Sequence, residues 1–122
     1  MLNVTVENIG EGELSVVTCA GSMTKNESAH KLCEVVTSQT DARIVVVELS
    51  DVRAIGGCGF GMLVLLQRWA RKHDIRFLLF NPSNSVRRRL ERAKSIAEFY
   101  IPSFGEMMAL LAYANSPHAL AN

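Results

Sequence analysis

The chain has 122 residues, 48% hydrophobic and 20% charged, enough to bury one core and too few for two. A formal net charge of +1 argues against an acidic solvating protein and against a uniformly basic coat for nucleic acid. Cys19, Cys33 and Cys58 are odd in number and far apart, with no C-x-x-C and no metal-ligand spacing, which fits a reducing cytoplasm.

Leu2 to Ile9 alternates apolar with polar residues, and Gly10 and Gly12 punctuate a turn before Leu14 to Ala20, which predicts a strand, a hairpin and a second strand. Thr24 with Glu27 three residues later predicts a capping box and a helix start. Ala29, Leu32, Cys33 and Val36 then recur as one apolar stripe facing a sheet. Arg43 to Leu49 contains Ile44-Val45-Val46-Val47, a β-branched run apolar on both faces, as a central parallel strand requires. After Ser50-Asp51 and a glycine cluster, Phe60 to Lys72 reads as a helix closed by Arg71 and Lys72. Ile75 to Phe80 repeats the buried-strand pattern, Asn81-Pro82 breaks it, and Val86, Leu90 and Ala93 space a short helix beginning near Ser83 or Ser85. Phe99 to Ile101 reads as a short edge strand, and Ser103 with Glu106 as a second capping box ahead of Met107, Leu110 and Leu111.

The expected fold is therefore a single α/β domain over residues 1–114, with order β-β-α-β-α-β-α-β-α and a mostly parallel mixed sheet. Residues 115–122 have no periodicity and read as a frayed tail. The start of the chain has no secretory pattern, so a cytoplasmic location is expected. Ala54 to Leu66 is too short to span a membrane, which needs roughly 20 apolar residues. In a sheet of this kind, function concentrates in the loops after the carboxyl ends of the strands.

Ile55-Gly56-Gly57-Cys58-Gly59-Phe60-Gly61 lies at such a place, and exposed N–H groups at a helix start can bind phosphate. The spacing argues against a nucleotide loop. Gly56 and Gly61 are followed by Met62-Leu63 instead of Lys-Ser/Thr, and Met62 occupies the third glycine position of the dinucleotide pattern. A simpler reading is that glycine supplies positive φ and close backbone approach at a sharp turn. Cys58, at a helix N-terminus, has the placement of an activated nucleophile, yet His30, His73 and His118 are scattered and none is an evident base. The competing reading makes Cys58 a small apolar filler, with Cys19 and Cys33 in the core.

Arg68, Arg71, Lys72, Arg76, Arg87, Arg88, Arg89, Arg92 and Lys94 crowd one region, opposed there only by Asp74 and Glu91. Without interleaved exposed aromatics or a recognition motif, this patch suits an acidic protein partner better than nucleic acid. Trp69 is expected in the core.

The run from Ile44 through Glu48-Leu49-Ser50-Asp51-Val52-Arg53-Ala54-Ile55-Gly56-Gly57-Cys58-Gly59-Phe60-Gly61-Met62 to Leu63 resembles the central segment of STAS domains, the family of bacterial anti-sigma factor antagonists. Phe77-Leu78-Leu79-Phe80-Asn81-Pro82-Ser83 with Val86-Arg87-Arg88-Arg89-Leu90, and Ile101-Pro102-Ser103-Phe104-Gly105-Glu106-Met107, resemble its later strand and helix segments. Ala20-Gly21-Ser22-Met23 stands at the family's turn after the second strand, and the resemblance covers roughly residues 3–112. Family members typically carry Asp-Ser-Ser-Gly or Asp-Ser-Thr-Gly at the glycine-led helix, with the serine after the aspartate phosphorylated. Here those positions read Gly56-Gly57-Cys58-Gly59, so Gly57 replaces the phosphoacceptor.

The resemblance implies a non-catalytic module, with no cofactor and no metal, that binds a protein through Gly21, Ser22, Met23 and Thr24 and through Ile55, Gly56, Gly57, Cys58, Gly59, Phe60, Gly61 and Met62. The implied partner is an anti-sigma factor with a kinase-like ATP-binding fold or a scaffold of related STAS domains. A homodimer is left open, and neither nucleic acid nor membrane insertion is expected. The alternatives are a soluble STAS subunit of a membrane transport system and, third, a cysteine-dependent enzyme.

Overall fold

The computed structural model describes residues 1–93 and 98–115. The alternating start of the chain forms β1 (Leu2–Ile9), which turns through Gly10 and Gly12, at φ 65° and 89°, into β2 (Leu14–Met23). The two strands are antiparallel, with Leu2 opposite Gly21 and Ile9 opposite Leu14. β3 (Ile44–Ile55) lies parallel to β2, and β4 (Arg76–Phe80) parallel to β3, so the sheet order is β1-β2-β3-β4. Among the described residues four helices cover it: α1 (Asn26–Thr37), α2 (Gly57–Lys72), α3 (Asn84–Arg92) and α4 (Phe104–Ala114).

The run of β-branched residues in β3 is apolar throughout because the two faces of the sheet serve different layers. Val45, Val47 and Leu49 face one core with Leu32 and Val36 of α1, Leu63 and Leu66 of α2, and Val86 and Leu90 of α3. Ile44 and Val46 turn to the other face, where Leu14 and Leu78 meet Met107 and Ala114 of α4. Burying each of these leucines or valines contributes on the order of 1.5–3 kcal/mol, so both helical layers are held by burial.

Several element boundaries differ from the sequence expectation. β3 continues past Leu49 to Ile55, and β2 continues past Ala20 to Met23, with register shifts between Thr18 and Ala20 and between Gly21 and Ser22. The extension carries exposed Ser50, Asp51 and Arg53; Ser50 and Arg53 fall at the two register shifts, and pairing with β2 resumes at Asp51 and at Ala54. α1 is capped at Lys25, with no side-chain cap, so the expected Thr24–Glu27 capping box does not form. Thr24 is one residue too early, and the helix bond from Ala29 N–H reaches the Lys25 carbonyl.

The glycines expected in a loop before Phe60 form the first turn of α2. The expected strand at Phe99 to Ile101 is reduced to one parallel bridge, Tyr100 beside Leu78, with Leu79 N–H donating to the Tyr100 carbonyl. Pro102, lacking an N–H, stops the ladder there. Ser83 caps α3, accepting from Val86 N–H, and Ser103 with Glu106 forms the expected capping box of α4. Of the expected tail, residues 116–122 lie outside the described residues, as does Lys94.

Candidate functional site

Because β2 and β3 are parallel and adjacent, their carboxyl ends bring together the two segments singled out in the sequence. Met23 pairs with Ile55, and Gly56 N–H donates to the Met23 carbonyl at 3.0 Å. One residue further, the chain enters α2, whose first helical bond runs from Phe60 N–H to the Gly56 carbonyl at 3.0 Å. The start of α1 joins the same corner, where the Cys58 thiol donates to Asn26 Oδ1 at 2.9 Å. The site is thus a junction of two strand ends and two helix starts.

The four clustered glycines serve different purposes. None of Gly56, Gly57, Gly59 and Gly61 has a positive φ among the described residues, so the conformational half of the sequence expectation fails. The close-approach half holds at Gly59, which is buried: a Cβ there would lie 2.4 Å from the Met23 carbonyl oxygen and 2.7 Å from Met23 Cγ. At Gly57 the space is open, and the nearest atom to a Cβ is Arg89 Nη2 at 3.9 Å. Met23 is also buried, so Met23 and Gly59 fix the junction without presenting a surface. Thr24, Gly57 and Cys58 are exposed, while Gly21, Ser22, Ile55, Gly56, Phe60, Gly61 and Met62 are partly so. Gly21 stands further back in the ladder, between Leu2 and Val52.

Sequence reasoning placed Arg89 in a basic patch suited to an acidic protein partner and did not locate it at this corner. Its guanidinium lies over the Phe60 ring at 5.3 Å from the centroid. Its Nε is buried and has no hydrogen-bond acceptor among the described residues. The signal was present in the helical spacing: Arg89 follows buried Val86 by three residues and precedes buried Leu90, so it flanks the apolar stripe of α3. The rest of the basic patch divides. Arg87, Arg88 and Arg92 are exposed on α3, whereas Arg76, 5.8 Å from the Tyr100 ring, pairs with Ile44 at the opposite end of β3.

The thiols differ in environment. Burial, reinforced by the charge of Glu48, pushes the Cys19 thiol up to about 12, which removes it from chemistry near neutral pH. Cys33 packs partly buried against the core, and Cys58 is exposed rather than a buried filler. The hydrogen-bond partner of Cys58 is an amide, not a base. His73 Nδ1 lies 2.8 Å from the Trp69 carbonyl near the far end of α2, and His118 is outside the described residues. Trp69 is partly buried against the core, as expected. Among the described residues no three His, Cys, Asp or Glu side chains cluster as a metal site requires, and no helix is long and apolar enough to cross a membrane. A shallow depression of about 710 Å³ includes Gly21, Ser50, Asp51 and Ser83 but none of residues 55–62, so it is separate from the junction.

The family model for the STAS domain matches residues 5–106. The fold is similar to that of an anti-sigma factor antagonist from Mycobacterium paratuberculosis, with a TM-score of 0.75 at 18% identity over 92% of this chain and 95% of the other. It is also similar to the anti-sigma factor antagonist SpoIIAA in its unphosphorylated form, with a TM-score of 0.71 at 14% identity over 87% and 93%. A part of SLC26A9 matches with a TM-score of 0.67 at 13% identity, covering 89% of this chain and 21% of that longer one. At such identities the likeness is one of fold. No curated protein matches the sequence.

Proposed function

The chain belongs to the STAS domain family, and from that premise we propose that it is a non-catalytic module binding a protein partner through the surface around Gly57. The observation that carries this reading is the open, exposed position of Gly57 and Cys58 at the corner where the ends of β2 and β3 and the starts of α1 and α2 converge. A rigid corner of backbone with little side-chain cover loses little conformational entropy on docking. By resemblance, Gly57 is the phosphoacceptor position, and neither it nor Cys58 carries a hydroxyl. The surface therefore works without a phosphate switch at that point.

The partner class that the resemblance implies is an anti-sigma factor with a kinase-like ATP-binding fold, or a scaffold of related STAS domains, in the cytoplasm. Retention of protein from the native organism on immobilised wild type, compared with a folded Gly57→Trp variant, tests the assignment. A protein held by the first and lost by the second supports it; a set of retained proteins unchanged by the substitution contradicts it.

A second reading, a soluble subunit of a membrane transport system, draws on the match to a part of the longer SLC26A9 chain. Genes for an ABC transporter beside this one favour that reading, and genes for an anti-sigma factor or serine phosphatase favour the first.

A further inference from the structure

The Arg89 guanidinium is a cation fixed beside the Gly57 corner without an anion supplied by the described residues. It stacks on Phe60, whose own N–H closes the first turn of α2, so the cation is tied to the turn that carries Gly57. Its Nη2 lies 3.9 Å from where a Gly57 side chain would begin, so the space left by the missing side chain opens onto the guanidinium. Its Nε is covered and meets no acceptor among the described residues. Arg87, Arg88 and Arg92 on the same helix also make no ion pair among the described residues. Gly56, the N-cap of α2, offers no side chain to the first-turn N–H groups.

We infer that a partner's Asp or Glu side chain enters the space over Gly57 and pairs its carboxylate with Arg89, a reading that rests on the partner-binding surface proposed above. A half-buried, ring-stacked guanidinium is a preoriented planar donor for a carboxylate, and the positive end of α2 adds to the attraction. Glycine at position 57 keeps the seat open. An acidic protein segment fits better than nucleic acid because the nearby aromatic face, Phe60, is already taken by Arg89 and is not free to stack on a base.

The test titrates a hexaglutamate peptide into ¹⁵N-labelled protein and follows the Arg89 Nε–Hε signal with the Gly57 and Cys58 amides. Saturable shifts at these three groups are expected, with binding weakened about tenfold by Arg89→Gln and retained in part by Arg89→Lys. Arg76→Gln, at the other end of the sheet, should change binding less than about twofold. Should Arg89→Gln prove unstable in a thermal melt, Gly57→Leu fills the same space with Arg89 intact and should abolish the shifts. Equal responses in wild type and Arg89→Gln, equal responses to hexaglutamine, or tighter binding of oligothymidylate at the same groups each overturn the inference. Absence of peptide shifts, with partner retention still dependent on Gly57, removes the carboxylate seat alone. Peptide shifts as expected, with retention indifferent to Gly57, remove the partner-binding assignment instead.

Discussion

The carbonyl oxygen of Met23 accepts the Gly56 N–H and stands 2.4 Å from where a Cβ on Gly59 would be. One backbone oxygen thus seats the start of α2 against the end of β2, and its crowding explains why a glycine is needed in the first turn of a helix.

Gly59→Ala is expected to destabilise the fold by about 3 kcal/mol, because the obstructing atom is backbone and α2 must shift to relieve it. The helix-propensity gain of roughly 1 kcal/mol for Gly to Ala is too small to offset this. Gly61→Ala, with nothing within 4 Å of its Cβ position, should stabilise by about 0.5–1 kcal/mol. Urea melts of the two variants check the pair, and equal effects would contradict the packing described here.

Alkylation of the native protein near neutral pH is expected to label Cys58 and to leave Cys19 untouched until unfolding, since burial holds the Cys19 thiol protonated up to about 12. With an amide as its hydrogen-bond partner, Cys58 should react no faster than a model thiol. Rapid stoichiometric labelling of Cys58, well ahead of a model thiol, would revive the cysteine-enzyme reading.

The capping box of α4 gives a pH dependence of known sign. Hydrogen bonds from the Ser103 backbone N–H, then from the Ser103 and Tyr100 side chains, hold the Glu106 carboxyl below its ordinary 4.5. Its contribution to stability is therefore complete above 4.5 and is lost as pH falls through the lower folded value. Glu106→Gln should flatten the dependence of the thermal midpoint on pH below about 4.5, and an unchanged acid limb would show that the cap is not formed in solution.

Mass spectrometry after incubation with ATP and any kinase-type protein that co-purifies should find no phosphate on residues 56–61, where no hydroxyl exists. Ser50 is exposed, but its hydroxyl donates to the Glu48 carboxylate at 2.8 Å, and a phosphate there would meet that charge. Stoichiometric phosphate on Ser50 or Ser22 would show that the switch has moved instead of being lost.

The fold was legible in the sequence wherever burial decided it. Ile44 to Val47 announced the central strand, and Val86 with Leu90 announced α3, because core faces write their period into the chain. Boundaries set by tertiary contact were not legible. Glycine has poor helix propensity, so Gly57 and Gly59 read as loop, yet the contact with Met23 carries α2 through them. Ser50 to Arg53 read as a break because they are mostly exposed and polar, yet backbone pairing with β2 resumes after each register shift and carries β3 on to Ile55. At the site, the convergence of residues 21–24 with 55–62 followed from the parallel order of strands. The approach of Arg89 to Gly57 depends on how α3 docks, and only the three-residue offset from Val86 hinted at it.

Gly57→Glu tests the central claim most directly, with the thermal midpoint and the affinity for the partner identified by retention both measured by calorimetry. The position is open and faces Arg89, so the new carboxylate at the start of α2 should keep the fold and contribute roughly 0.3–1 kcal/mol of stability. The same side chain would fill the corner and occupy the arginine, and partner affinity should fall by about 2–5 kcal/mol. A folded Gly57→Glu protein that binds its partner as tightly as wild type would contradict the account and remove this corner from the interface.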